Sequence, residues 1–225
     1  RATVAQMAAA AQTRGWSYLG ITDHSRTAFY AGGLKAEAVL EQRREIDAFN
    51  AAHPEFKIFA GIESDILPDG SLDYSDEVLA GFDFVIGSVH SSFALDEVTM
   101  TQRIVKAMRN PYLTMLGHPT GRLLLAWEAY AVDMNEIIRV AAATGTVIEI
   151  NASPYRLDLD WRWCRQAKEA GVMLAVNPDA HSLEDLSVVS YGVGIARKGW
   201  LEADDILNTR TSSAVGKLLS RKRPR

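Results

Sequence analysis

Cysteine is nearly missing from this chain: Cys164 is the one thiol in 225 residues. No disulfide framework and no cysteine-based zinc site can be built from it, and a reducing, cytoplasmic setting is expected. No apolar run approaches eighteen residues, which excludes a membrane-spanning helix and predicts no membrane partner. Excess positive charge is absent too. The net charge of −4 argues against a surface dominated by nucleic-acid contacts, although four of the last five residues are basic. That basic tail, 217–225, reads as a solvated terminus or the start of a linker. The opening helix, Ala2–Thr13, lacks the apolar core and cleavage site of a signal peptide. No linker or internal repeat divides the chain, so residues 1–225 are expected to form one domain.

Histidine is scarce as well, with five in all, and its placement is informative. Four of the five close a short apolar run: His24 in SYLGITDHS, His90 in FDFVIGSVHSS, His118 in TMLGHPTGR and His181 in VMLAVNPDAHS. Such runs between turn signals read as buried parallel strands, here Ser17–Thr22, Phe56–Ile62, Phe82–Val89, Thr114–Leu116, Thr146–Ile150 and Val172–Val176. Helical patterns alternate with them at Lys35–Ala52, Glu97–Arg109, Asp133–Ala143 and Trp161–Ala170. Shorter helices are expected at Leu183–Leu186, Glu202–Leu207 and Ser212–Leu219. Strands alternating with helices at this spacing require a parallel sheet covered by helices.

In such folds the site lies at the C-terminal ends of the strands. The groups delivered there are Asp23, His24, Glu63, His90, His118, Asp179 and His181. Imidazoles mixed with carboxylates suit Zn²⁺, Mn²⁺ or Fe²⁺ better than Mg²⁺ or Ca²⁺. The set exceeds what one tetrahedral ion needs, so two or more ions are expected, as in two-metal phosphoester hydrolysis. Asp23 is either a ligand or a carboxylate orienting an imidazole. Asp65 reads as a turn residue before PDG, and His53 as a surface residue. Arg26, Arg122 and Arg156 follow strand ends, where their forks match phosphate oxygens. Pairing with a nearby carboxylate, such as Arg156 with Asp158, is the alternative. Asn151 either reaches the mouth or forms a turn before Ser153-Pro154. Phe29, Tyr30 and Tyr155 are candidates for stacking on a base or for anchoring loops.

The segments ITDHS, GIESDI, GSVHSS, LGHPTGRLL, EINASPYRLDL and NPDAHS together resemble the PHP (polymerase and histidinol phosphatase) superfamily. They most resemble the C-terminal PHP domain of bacterial and archaeal family X DNA polymerases. The resemblance implies a distorted (β/α)₇ TIM-like barrel with a trinuclear metal cluster; two or three ions are expected in the intact domain, Mn²⁺ or Zn²⁺ with Fe as a further candidate. It implies His24, Glu63, His90, His118, Asp179 and His181 as metal ligands. In the leading reading of the residues, Asp179 or another carboxylate positions the attacking hydroxide, and Arg122 and Arg156 hold phosphate. The implied activity is phosphoester hydrolysis at DNA 3′ ends in repair, beside a polymerase domain in the same parent chain. A family-type opening strand with its His-x-His ligands is missing, so a fragment of a longer polypeptide lacking the first strand is expected. The sole D-x-D, Asp158-x-Asp160, falls inside the PHP-like EINASPYRLDL segment, so this chain is not expected to polymerise DNA. Two other functions remain open: a small-molecule phosphomonoesterase of histidinol-phosphatase type, or a structural domain bracing the polymerase.

Overall fold

The computed structural model describes residues 2–27, 33 and 36–222. Phe29, Tyr30 and the end of the basic tail lie outside the described residues. The elements run α1 (Val4–Thr13), β1 (Tyr18–His24), α2 (Ala36–Ala52), β2 (Lys57–Asp65), α3 (Asp76–Leu79), β3 (Phe84–Ser88) and α4 (Glu97–Met108). They continue with β4 (Met115–Leu116), α5 (Met134–Thr144), β5 (Val147–Asn151), α6 (Trp161–Glu169), β6 (Leu174–Asn177), α7 (Val189–Lys198) and α8 (Ser212–Leu219). Among the described residues the six strands form one parallel sheet in chain order, the wall of a TIM-like barrel one strand short of seven.

Side chains alternate across each strand, and that period of two builds the interior. Phe59, Phe84, Ile86, Met115, Val147 and Ala175 point inward low in the barrel and pack with Leu207, Val215 and Leu219, so that α8 closes the bottom. Further along the same strand faces, Phe59 gives way to Gly61 and then Glu63, Val147 to Glu149, and Ala175 to Asn177. An apolar layer therefore lies under a polar one. Gly61 is required here, because a Cβ on it would come within 2.5 Å of the Phe84 ring. The opposite faces of the strands, Ile62, Val85, Leu116, Ile148, Ile150, Leu174 and Val176 among them, pack against the helices in the larger core.

Helix ends follow their capping residues. Asp96, Asp133, Asp160 and Thr211 each accept a backbone N–H at the start of α4, α5, α6 and α8, and Gly145 ends α5 with φ of 70°. One helix departs from the sequence pattern. Val189–Lys198 is helical, whereas only a short helix at Leu183–Leu186 was expected there. Gly192 and Gly194 weaken its local helical signal. Packing explains Gly192, since a Cβ there would lie 2.6 Å from Val176 and 2.7 Å from Ala152. Likewise Glu202–Leu207 is a 3₁₀ turn at Ala203–Asp205, after which Ile206 bridges in parallel to Leu174.

β1 and β6 are the sheet's edges, and no ladder joins them among the described residues. A cleft of about 950 Å³ extends from this seam into the barrel, with Leu19, Ile21, Val176 and Leu186 on its walls. Its lower part is latched by Asn208, whose Oδ1 accepts the Val176 N–H at 2.7 Å and whose carbonyl accepts the Tyr18 hydroxyl at 3.0 Å. Asn208→Ala strands the Val176 donor, and the expected loss is about 1–3 kcal/mol of stability by urea unfolding. An unchanged midpoint would show that the latch contributes nothing.

Candidate metal centre

Parallel pairing sets His24 opposite Glu63 in register, and Glu63 becomes the hub of the site. Its Oε2 lies 3.2 Å from His24 Nδ1, and its Oε1 lies 3.2 Å from His118 Nε2 and 3.4 Å from His90 Nε2. The two facing ring nitrogens, His90 Nε2 and His118 Nε2, are 3.2 Å apart. Burial raises the Glu63 carboxyl, but hydrogen bonds from His118 and His90 outweigh it and hold the group well below the usual range. Burial lowers the His24 pKa, with Glu63 opposing.

Asp65 does more than turn the chain. Its Oδ1 accepts from His90 Nδ1 at 2.5 Å, and its Oδ2 accepts from the Thr27 hydroxyl at 2.5 Å. Burial lowers the His90 pKa, but bonds to Asp65 and Glu63 win and raise it to about 9. With Nδ1–H fixed on a carboxylate, His90 presents Nε2 to the site, the arrangement typical of histidines that bind metals. Asp23 takes a short hydrogen bond from Gln42 on α2.

Asp179 and His181 follow β6. Asp179 Oδ2 accepts from Asn151 Nδ2 at 3.0 Å and lies 4.0 Å from Arg156 Nε. His181 is mostly exposed, with Nδ1 2.9 Å from the Asp179 carbonyl, and its ring centre is 5.9 Å from that of His24. The seam between β1 and β6 thus narrows at the mouth. Asn151 meets both expectations at once, because its Oδ1 also accepts the Ser153 N–H.

Glu149 lies under this layer and was absent from the candidate residues. It accepts the His118 N–H at 2.8 Å and Asn177 Nδ2 at 2.9 Å, and burial pushes it up to about 7. Its place two residues before Asn151 in one strand was the available signal. His118 and Asp179 both hold left-handed backbone, φ 23° and 52°, a cost of about 1–3 kcal/mol each that clusters at functional sites.

The arginines divide. Arg122 spends its guanidinium on the loop, bonding Asp160 Oδ2 at 2.8 Å, the Arg156 carbonyl at 2.9 Å and the Leu157 carbonyl. Arg156 faces Asp179 rather than Asp158, which is buried and accepts the Thr120 N–H. Arg26 donates to the Asp73 carbonyl.

The donor set fits a divalent cation. Imidazole and carboxylate atoms of His24, Glu63 and His90 lie within 4.8 Å of one another. Two imidazole nitrogens aimed at each other and at one carboxylate oxygen need a shared positive charge, whether proton or metal, and this ligand chemistry suits Zn, Mn or Fe.

A family model described as the PHP domain matches residues 1–153. The chain belongs to the PHP family. This PHP domain is 44% identical over 219 residues to the DNA polymerase/3′-5′ exonuclease PolX of Bacillus subtilis (strain 168), covering 97% of the chain and 38% of that protein. The domain therefore spans about two-fifths of that relative's length. It is 27% identical over 237 residues to a protein named a probable phosphatase from Thermoanaerobacter sp. (strain X514), covering 98% of the chain and 89% of the relative. Among solved structures, histidinol phosphate phosphatase of Lactococcus lactis, complexed with zinc, L-histidinol and phosphate, shares the fold. Its TM-score is 0.63 at 17% identity, covering 89% of this PHP domain and 88% of that chain. Among the described residues no helix is long and apolar enough to cross a membrane.

Asp65→Asn is expected to weaken metal binding about 10–100-fold, read by calorimetric titration of stripped protein. Without metal, the charged His90 adds stability that is complete below about pH 6.5 and is lost as pH rises through about 9. The same variant should flatten that loss in urea unfolding at pH 6 and pH 10. An equal slope in both proteins would assign it to other groups.

Proposed function

We propose that this PHP domain is a metal-dependent phosphoesterase that removes nucleotides from DNA 3′ ends. The observation that carries the hydrolytic part is the convergence of three strand-end imidazoles on Glu63. The likeness to a polymerase named as a 3′-5′ exonuclease over 97% of this chain supports the substrate. His24, Glu63, His90 and His118 would hold one cation, and Asp179 and His181 would border a further one. Mn²⁺ or Zn²⁺ suits these donors, with Fe as a further candidate. Bound cations of this kind supply a nucleophilic water at neutral pH and charge stabilisation on the leaving oxygen.

Within the chain, Asp179 positions the attacking water and is itself oriented by Asn151. Arg156, next to Asp179, binds a non-bridging phosphate oxygen, and Arg122 braces the loop that carries it. Water attacks phosphorus, the P–O3′ bond breaks, and a 5′-nucleotide leaves a shortened 3′-hydroxyl end. The domain acts, in this proposal, within a longer cytoplasmic polypeptide that carries a polymerase domain and a further strand for the open seam. The unjoined edges of β1 and β6 and the partial coverage of the Bacillus relative support that arrangement. A second reading is a small-phosphomonoester phosphatase, favoured by the net charge of −4 and by the probable-phosphatase relatives.

The test is digestion of a 5′-labelled single-stranded oligonucleotide with Mn²⁺, by this chain and by a form extended upstream. A one-nucleotide ladder is expected, abolished by chelator and reduced more than about 100-fold by His118→Ala or Asp179→Asn. Phosphate release from histidinol phosphate without a ladder would move the assignment to the second reading. No metal-dependent turnover by either form would leave a structural role.

A further inference from the structure

Five large apolar side chains stay exposed on loops that leave the C-terminal ends of β3, β4 and β5: Phe93, Leu124, Leu125, Trp127 and Tyr155. They share the face of the barrel that carries the metal centre. Tyr155 is 72% exposed and Trp127 57% exposed, and Leu125 is held fully into solvent on left-handed backbone with φ of 64°. Apolar surface gathered on a polar, charged rim marks a binding region.

These side chains belong to one connected ledge. The Leu124 N–H donates to the Tyr155 carbonyl at 2.7 Å, and Leu123 bridges antiparallel to Trp127. The Trp127 indole N–H donates to the Gly121 carbonyl at 3.3 Å, which fixes the ring at the base of the loop. On the far side Phe93 stacks on Tyr130, with ring centres 6.3 Å apart and planes 12° apart. On the near side Tyr155 adjoins Arg156, whose guanidinium reaches Asp179 of the centre. Tyr155 thus directly precedes in the chain the cation that would hold a phosphate, and the bonded loop after β4 presents Trp127 on the same face.

We infer that this ledge, chiefly Tyr155 and Trp127, is a stacking platform for the unpaired bases of a single-stranded polynucleotide whose phosphate lies at Arg156. The inference rests on the phosphoesterase reading above and deepens it by assigning a base-binding subsite. A single-stranded nucleic acid offers the matching alternation of phosphate charge and flat apolar bases, and stacking on aromatic side chains tolerates any base sequence. A small phosphomonoester has no second ring to cover the ledge.

The experiment measures binding of two fluorescent 12-mers, oligo(dT) and its abasic counterpart with the same phosphates, by anisotropy in chelator, with digestion in Mn²⁺ run in parallel. The native chain should bind oligo(dT) about tenfold more tightly than the abasic strand. Tyr155→Ala with Trp127→Ala should erase that preference while leaving abasic binding and the thermal midpoint unchanged. Tyr155→Phe and Trp127→Phe should retain it, which a mere loss of loop hydrogen bonds would not allow. Equal affinity of the native chain for both strands overturns the platform and leaves the ledge to a protein contact, even if digestion proceeds. Base-dependent binding without digestion overturns the exonuclease reading and keeps the platform.

Discussion

Parallel strands in register, each showing every second residue to one interior, are the constraint on which this molecule depends. Once β2 commits Phe59 inward, Gly61, Glu63 and Asp65 must follow, and the same holds for Val147, Glu149 and Asn151 on β5. A one-residue slip would turn Glu63 into the helix layer and Ile62 into the site. Register therefore specifies core and chemistry together. The apolar layer supplies the burial that holds the barrel, and that same burial shapes the carboxylates above it. Glu63 and Glu149 show this: both are buried, yet two imidazoles hold the first ionised, while the second is pushed up to about 7.

The centre is supported from beneath and from the side. Glu149 fixes the backbone of His118 and the amide of Asn177, Asn151 carries Asp179, and Asp65 aims His90. Such supporting groups are what make a cluster of ligands a preorganised site. They also account for the tolerance of left-handed backbone at His118 and Asp179, because each is held by bonds that a relaxed conformation would lose. The expectation that Arg122 touches phosphate meets a different geometry, since three acceptors on the neighbouring loop after β5 already engage it.

The seam between β1 and β6 and the apolar ledge give the face with the candidate metal centre two distinct borders. Among the described residues the sheet is open at the seam, and Asn208 ties its lower part. At the ledge the loops are rigidly cross-bonded but leave large rings in water. An open edge tolerates addition of chain, whereas a braced apolar rim favours a flat ligand. In the proposed reading the centre supplies the hydrolytic chemistry, and the rim is where substrates of different size are told apart.

Alternation of short apolar runs with helical patterns was enough to order the strands, and four strand-end histidines pointed to a candidate metal centre, where three of them meet Glu63. Local sequence determines both, because burial of a parallel strand needs a continuous apolar run and the topology sends all such strands out at one face. The supporting layer was legible only in three dimensions. Asp65 and Glu149 look like ordinary carboxylates in the sequence, and their partners stand 25 and 31 residues away. The α7 helix was hidden by two glycines, one of which is there for contact with Val176 and Ala152. The sequence by itself thus determined element order, family likeness and the residue types of the centre. Tertiary structure decided which carboxylate serves which imidazole, that Arg122 is spent on the loop after β5, and that exposed rings line one rim, because those depend on contacts between segments distant along the chain.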